Sequence, residues 1–313
     1  MAEKQKPFRT SIGGQALLEG IMMKGPEKTA IVVRTPEGLQ TKVTENTSLK
    51  DKYPFVGWPF IRGSVNFISS MVTGVKALTY SASFFPEDES SQPSKFDRWI
   101  EKHIGGETAE KIIVGVAVVL GVALSVGLFI LLPTIIAGWL SFFIKSYLVR
   151  NIIEGVLRIA IFLLYMWLVS MMKDIRRVWQ YHGAEHKTIF CYEAGLELTV
   201  ENARKQKRAH PRCGTSFMFI VMIVSILVFS VVQWSNVFVR MLLRIVLLPV
   251  VVGISYELIK LAGRCDNLFT KIVSAPGKAL QKLTTKEPDD EMLEVAIEAL
   301  KLVLPEEKGS DNW

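Results

Sequence analysis

The chain has 313 residues, is 50% hydrophobic and carries a formal net charge of +7 with an isoelectric point of about 9.2. In a soluble protein such a basic balance would favour nucleic acid, but here the basic residues lie beside long apolar runs, where positive charge orients membrane helices and contacts anionic lipid. We therefore exclude nucleic acid as a partner and expect membrane lipid. The three cysteines are too few for a disulfide framework.

Residues 1–57 are predicted to form a small β-rich segment. Two runs typical of strands, 29–33 and 39–43, flank the turn-forming sequence TPEG, which predicts a hairpin. The run 12–20 is rich in glycine and apolar residues but contains neither phosphate-binding glycine pattern. Glu19 in this run is either a second acid of a functional site or a structural carboxylate, and its apolar context favours the structural role.

Residues 58–85 are apolar but include Arg62 and Lys76. This pattern fits an amphipathic helix that lies on the membrane or packs against a helical bundle. It fits equally well a half-buried helix of the N-terminal segment. Residues 86–111 are predicted to form a polar linker.

Four long apolar runs predict a transmembrane domain over residues 112–264. A helix needs roughly 20 apolar residues to cross a membrane. The predicted fold class is therefore an α-helical integral membrane protein of about four transmembrane helices with a small N-terminal β-rich segment. The predicted spans are residues 112–140, 153–172, 216–234 and 238–261.

A few charged residues interrupt the apolar runs. Glu154 and Arg158 are four residues apart near the start of the second span, a spacing that allows an ion pair on one helix face. Arg240 and Arg244 lie near the outer end of the fourth span. We expect them either to reach lipid headgroups or to pair with Glu154.

The distribution of basic residues predicts the topology. Residues 173–215, between the second and third spans, contain nine lysines and arginines, whereas the loop between the first two spans offers only Lys145 and Arg150. The positive-inside rule places residues 173–215 in the cytosol, and an even number of spans then places both termini there.

Residues 265–313 are predicted to form a cytosolic helical tail. Acidic residues at 289–291 suit the start of a helix, where the helix dipole favours negative charge. One apolar stripe follows at helical spacing, formed by Leu293, Ile297, Leu300 and Leu304.

The cluster most suggestive of chemistry begins in the sequence YHGAEHK. His182 and His186 lie on one face if this segment is helical, so that both imidazoles reach a single divalent ion. His210 and Cys213 follow just before the third span. A ligand set of His182, His186 and one or both of His210 and Cys213 favours zinc, and Glu185 is the candidate catalytic residue, as a ligand or general base.

The pattern matches no catalytic signature by itself. Glu185 does not follow the first histidine as in HExxH, and no CxxC pair is present. On the alternative interpretation, the histidines of a juxtamembrane loop bind backbone carbonyls or lipid phosphates.

Four separated motifs give the chain a resemblance to a known family. They are residues 13–26 (GGQALLEGIMMKGP), 181–187 (YHGAEHK), 210–217 (HPRCGTSF) and 283–290 (LTTKEPDD). In order, they resemble the YqhQ-like family of bacterial multi-pass membrane proteins, a domain of unknown function whose members are often labelled predicted metal-dependent enzymes. The resemblance implies a bacterial plasma membrane and strengthens the metal hypothesis.

We therefore expect a membrane protein with a metal site on its cytosolic face, with zinc as the expected metal and a hydrolase of unknown substrate as the leading function. The alternative is a non-enzymatic scaffold or partner-binding protein whose motif residues are structural. A transporter ranks third because no repeat is evident and the ionisable residues lie near span ends. The sequence leaves a homo-oligomer or membrane partner proteins open.

Overall fold

The computed structural model describes residues 8–46, 53–85, 106–231, 236–264, 267–307 and 309–312. As far as their residues are described, they form two compact units. The first comprises Met1–Phe84, Leu164–Ser225 and Leu247–Trp313, and the second comprises Phe85–Leu163 and Ile226–Val246. Each unit thus joins segments that are distant in the sequence.

The N-terminal part of the first unit is an antiparallel sheet. Its strands pair in sequence order, and the predicted hairpin is confirmed, because the last two strands close with Thr35 opposite Gly38. The strands are β1 (Gly13–Leu17), β2 (Gly20–Lys24), β3 (Lys28–Thr35) and β4 (Gly38–Glu45).

Helices make up most of the remaining described chain. A π-helical turn, Gly127–Leu131, lies between the second and third of them. The α-helices are α1 (Ile61–Ala82), α2 (Gly106–Val126), α3 (Leu132–Trp139), α4 (Tyr147–Val169), α5 (Lys173–Glu193), α6 (Val200–Arg204), α7 (Gly214–Val231), α8 (Val237–Arg264), α9 (Leu268–Thr284) and α10 (Asp290–Lys301).

Strand β2 is covered on both faces, which explains its uninterrupted apolar sequence. Ile21 and Met23 pack into the main core with residues of α5 and α10. Met22 points to the other face and packs with Ala77 of α1. The part of the sheet that contains the glycine-rich motif therefore lies between α1 on one face and α5 and α10 on the other.

Helix α10 confirms the predicted tail helix. The Asp289 carboxylate accepts a 2.9 Å hydrogen bond from the amide of Met292 and caps the first turn. Leu293 and Leu300 of the predicted stripe are completely buried against the sheet and α5.

Helix α1 packs through small residues. A Cβ at Gly63 would lie 2.7 Å from Cβ of Tyr256 on α8, so the glycine permits close helix contact. Next to it, Arg62 binds both carboxylate oxygens of Glu257, at 2.7 and 2.5 Å. Large apolar side chains of α1 are exposed, among them Phe67, Ile68, Met71 and Val72. This helix thus combines a packed face, as expected of a half-buried helix, with an exposed apolar face, as expected of a membrane-associated helix.

Three helical stretches are long and apolar enough to cross a membrane: Ile112–Trp139, Leu148–Val169 and Phe238–Ala262. The third predicted span is an apolar helix, Gly214–Ser230, within the described residues, and the end of the predicted run, at 232–234, lies outside them. Three of the four predicted spans are therefore long and apolar enough to cross a membrane, and the crossing of the remaining one stays a prediction.

Two further predicted segments, the loop 173–215 and the linker 86–111, are compared with the structure as follows. Residues 173–215, expected as a loop, contain helices α5 and α6. Most of the predicted linker, residues 86–105, lies outside the described residues, as does Cys265.

Candidate metal centre

Helix α5 carries three of the predicted site residues within about one turn. The helix begins at Lys173, and the negative charge of Asp174 in its first turn interacts favourably with the positive end of the helix dipole. The rings of His182 and His186 are in edge contact, with centroids 4.4 Å apart and an interplanar angle of 62°. The i, i+4 spacing therefore places both imidazoles on one helix face, as predicted.

Cys213 completes a cluster with the two histidines. It immediately precedes helix α7, and its Sγ lies 3.1 Å from Nε2 of His182. One ligand atom from each of His182, His186 and Cys213 lies within 4.8 Å of the others. Two of its three side chains are buried, His186 at 1% and Cys213 at 8% exposure, whereas His182 is partly exposed.

The outer ring nitrogens of both histidines are fixed by main-chain carbonyls. Nδ1 of His182 donates to the Thr284 carbonyl at 2.8 Å, and Nδ1 of His186 donates to the Arg208 carbonyl. Since a carbonyl only accepts, each Nδ1 carries a proton, and in the neutral ring each Nε2 then keeps its lone pair. This is the arrangement that orients histidines as metal ligands.

The histidines and the thiol change each other's protonation. Burial opposes a charge on His182, but the neighbouring Cys213 sulfur and its hydrogen bond raise the pKa of His182 to about 9. Burial likewise opposes the Cys213 thiolate, yet the charges of His182 and His186 lower the pKa of Cys213 well below its ordinary value. The cluster thus favours a thiolate, the form that binds metal.

Glu185 lies behind the cluster and faces the sheet. Its carboxylate accepts a 3.0 Å hydrogen bond from the amide of Gly14, and a Cβ at that glycine would lie 3.0 Å from the Glu185 carboxyl carbon. Burial raises the pKa of Glu185, while His182 and His186 oppose the rise. The glycine in the N-terminal motif therefore permits close approach to this acid.

The His210 side chain lies near the cluster, but its ring contacts Phe190 and Glu193. Its ring packs against Phe190 at 4.7 Å between centroids, and its Nε2 lies 3.6 Å from the Glu193 carboxylate. Burial lowers the pKa of His210. The structure therefore brings His182, His186 and Cys213 together as predicted and leaves His210 outside their common group.

Glu19 has structural partners. Its carboxylate accepts a 2.6 Å hydrogen bond from Arg177, which bonds both oxygens, and another of 3.2 Å from the Tyr181 hydroxyl. These bonds hold Glu19 at a positive φ of 48° in the turn between β1 and β2. The carboxylate ties the glycine-rich hairpin to α5.

Sequence reasoning missed the groups that fix the site through main-chain atoms. Gln281 accepts a 2.7 Å hydrogen bond from the His210 amide and donates one of 2.7 Å to the carbonyl of the same residue. A Cβ at Gly183 would lie 2.1 Å from the Lys286 carbonyl oxygen, so the segment after α9 crosses directly over α5. In the sequence, the only indication that this region belongs to the site is that residues 283–290 form one of the four motifs.

The donor set fits zinc. Two neutral imidazole nitrogens and a thiolate are ligands that Zn²⁺ prefers, at bond lengths of about 2.0–2.3 Å. Ligand atoms in a tetrahedral site lie about 3.4 Å apart, close to the 3.1 Å between His182 Nε2 and Cys213 Sγ. All three ligand atoms lie within 4.8 Å of one another.

Comparison with known proteins agrees with the resemblance. Residues 58–306 match the family described as "Protein of unknown function (DUF1385)". The chain is 34% identical over 309 residues to the "Uncharacterized protein YqhQ" of Bacillus subtilis (strain 168), over 96% of this chain and 94% of that protein. No solved structure matches the chain. The predicted membership is thus confirmed: the chain belongs to the YqhQ-like DUF1385 family.

Proposed function

We propose that the protein is a membrane-embedded metalloprotein that binds zinc through His182, His186 and Cys213. The observation that carries this proposal is the pair of Nδ1–carbonyl hydrogen bonds, which direct both Nε2 atoms toward one buried thiol. A histidine that serves only as a core side chain would not require its second ring nitrogen to face a cysteine. The thiolate character of Cys213 adds to the argument.

The proposed location is a bacterial plasma membrane with both termini in the cytosol. Three helical stretches are long and apolar enough to cross it, and the apolar helix Gly214–Ser230 is proposed as the fourth crossing, which makes the number of spans even. The basic residues of 173–215 support the cytosolic placement of the metal centre. Anionic lipid on that side is the expected partner of these residues.

Within this proposal, the protein acts as a hydrolase of unknown substrate. His182, His186 and Cys213 would hold the zinc ion, which would supply a Lewis acid for hydrolysis. Glu185 is the candidate general base, because burial raises the pKa of its carboxyl group and thereby makes the carboxylate a stronger base. Gly14 holds the Glu185 carboxylate in place.

A second function is favoured by the enclosure of the cluster. Glu185 is 5% and His186 1% exposed, which suits a structural metal or a purely structural cluster better than an open catalytic centre. In that case the protein is a non-enzymatic scaffold, and the cluster ties α5 to the start of α7.

The test is elemental analysis of detergent-purified protein prepared without chelator. We expect about one zinc per chain and its loss in a His182→Ala/His186→Ala double variant that stays folded. Full metal content in the double variant, or no metal in the wild type, would refute the metal centre. If zinc is bound, Glu185→Gln separates the two functions: a hydrolase loses turnover with its zinc retained, whereas a scaffold has no turnover to lose.

A further inference from the structure

The second unit contains ionised side chains buried among apolar helices. Glu154 on α4 is 2% exposed, and Arg158 and Arg244 are 5% and 2% exposed. The Glu154 carboxylate accepts hydrogen bonds from the Thr134 hydroxyl at 2.8 Å, from Arg244 at 2.7 Å and from Arg158 at 3.3 Å. Both expected pairs of Glu154 therefore exist, and its oxygens are fully engaged.

Arg158 has a second acceptor, which the helix itself provides. Pro133 has no amide proton, so the carbonyl of Phe129, four residues earlier, lacks its usual helical donor. The π-helical turn Gly127–Leu131 contains this carbonyl, and Arg158 Nε donates to it at 2.9 Å. The proline thus creates an acceptor that holds Arg158 in place.

Arg240 is the third buried arginine, and it is poorly satisfied. It is 7% exposed and makes a long 3.4 Å hydrogen bond to the Thr134 carbonyl. Within the described part of the chain, nothing accepts from its Nε. The Glu154 oxygens are already bound by Arg158 and Arg244.

The charges of this cluster do not balance. Among the described residues the Glu154 carboxylate binds Arg158 and Arg244, so that no carboxylate there pairs with Arg240. A buried charge without a counter-charge is strongly unfavourable, and charges among membrane helices mark binding sites or pathways. A phosphate group, as a diester or as the free ion, is negatively charged and would supply the counter-charge for Arg240.

We propose that Arg240 binds the phosphate group of an anionic ligand inside this helical unit, with Arg158 and Arg244 adding positive potential. Guanidinium groups bind phosphate oxygens in a bidentate manner. Arg240 lies in the first turn of α8, where the helix dipole adds positive potential. Beside it, Phe238 and Leu242 are 81% and 61% exposed, and such a surface accommodates acyl chains. The phosphate belongs either to a lipid headgroup or to a free phosphate ion.

The experiment measures ligand-induced thermal stabilisation of the purified protein at constant ionic strength. The probes are a short-chain phosphatidylglycerol, the phosphatidylcholine of the same chain length, and inorganic phosphate. We expect Arg240→Gln to weaken binding about tenfold or more, since a charge-assisted hydrogen-bond pair is lost. Arg240→Lys should lose less, and Lys301→Gln, at an exposed lysine of α10, should bind as the wild type.

Each outcome decides the proposal. Stabilisation by phosphatidylglycerol alone identifies a lipid phosphate, and stabilisation by inorganic phosphate identifies the free ion. Absence of any shift in the wild type, or equal binding by the wild type and Arg240→Gln, overturns the site. If Arg240→Gln does not fold, the wild type and Arg240→Lys still decide: equal affinities of these two for all three probes would also overturn it.

Discussion

The amide of Gly14 donates a 3.0 Å hydrogen bond to the carboxylate of Glu185, although 171 residues separate them in the chain. This contact joins the glycine-rich N-terminal motif to the helix of the proposed metal centre. It is possible because a glycine leaves room at this position. Two motifs that look unrelated in the sequence are therefore parts of one site.

Gly14→Ala should destabilise the protein and displace Glu185. The new Cβ would lie 2.6 Å from the Met22 carbonyl oxygen and 3.0 Å from the Glu185 carboxyl carbon. We expect a loss of about 1–3 kcal/mol, the usual cost of overpacking, measured by thermal or denaturant unfolding. Gly13→Ala is the matched control, because a Cβ there meets open space. Equal effects of the two variants would contradict the role of Gly14.

Cys213→Ala and His210→Ala should differ in metal content. Cys213 lies within the common group of ligand atoms, whereas the His210 ring lies beside Glu193. We expect Cys213→Ala to lower zinc affinity at least ~10-fold and His210→Ala to keep it near the wild-type value. The measurement is a competition titration against a chromogenic chelator. The reverse result would make His210 the third ligand in place of Cys213.

Zinc affinity should rise with pH between neutrality and about pH 9. His182, whose pKa is raised to about 9, must lose its proton to bind metal, while the lowered pKa of Cys213 already provides a thiolate. One displaced proton gives about a tenfold gain in apparent affinity per pH unit below the pKa, and the gain ends above it. The same titration at pH 7, 8 and 9 tests this. A flat profile would contradict the coupling between the histidine and the thiolate.

Membrane topology can be tested by cysteine labelling in whole cells. Cys191 and Cys213 are buried, so a Cys265→Ser background suits single added cysteines. In this background we expect Lys145→Cys to react with an impermeant maleimide from outside, and Arg176→Cys to react only after permeabilisation. Both positions are exposed. The opposite pattern would place the metal centre outside the cytosol.

Local patterns predicted the elements that depend on local signals. The turn sequence TPEG gave the hairpin between β3 and β4, and the acidic residues at 289–291 marked the start of α10. The i, i+4 spacing of His182 and His186 predicted their shared face, because a helix fixes that geometry. These features required no knowledge of distant parts of the chain.

The rest depends on contacts that leave little trace in side-chain types. The acceptors of His182 and His186 are main-chain carbonyls of Thr284 and Arg208, and every residue has such a carbonyl. Spacing alone also does not distinguish His210 from Cys213 as the third ligand, since only two residues lie between them in an irregular segment. Their different directions arise from tertiary packing.

The contact between His182 and the Thr284 carbonyl has a consequence for biosynthesis. Thr284 ends helix α9, which follows every apolar helix in the chain. During translation, His182 and Cys213 therefore leave the ribosome well before the group that orients the histidine. The centre is complete only after the last apolar helix has been made, so that a nascent chain ending before residue 284 would present an unfinished site. If the centre binds zinc as proposed, metal loading would follow membrane insertion in time, and the cell's zinc supply would act on the finished protein.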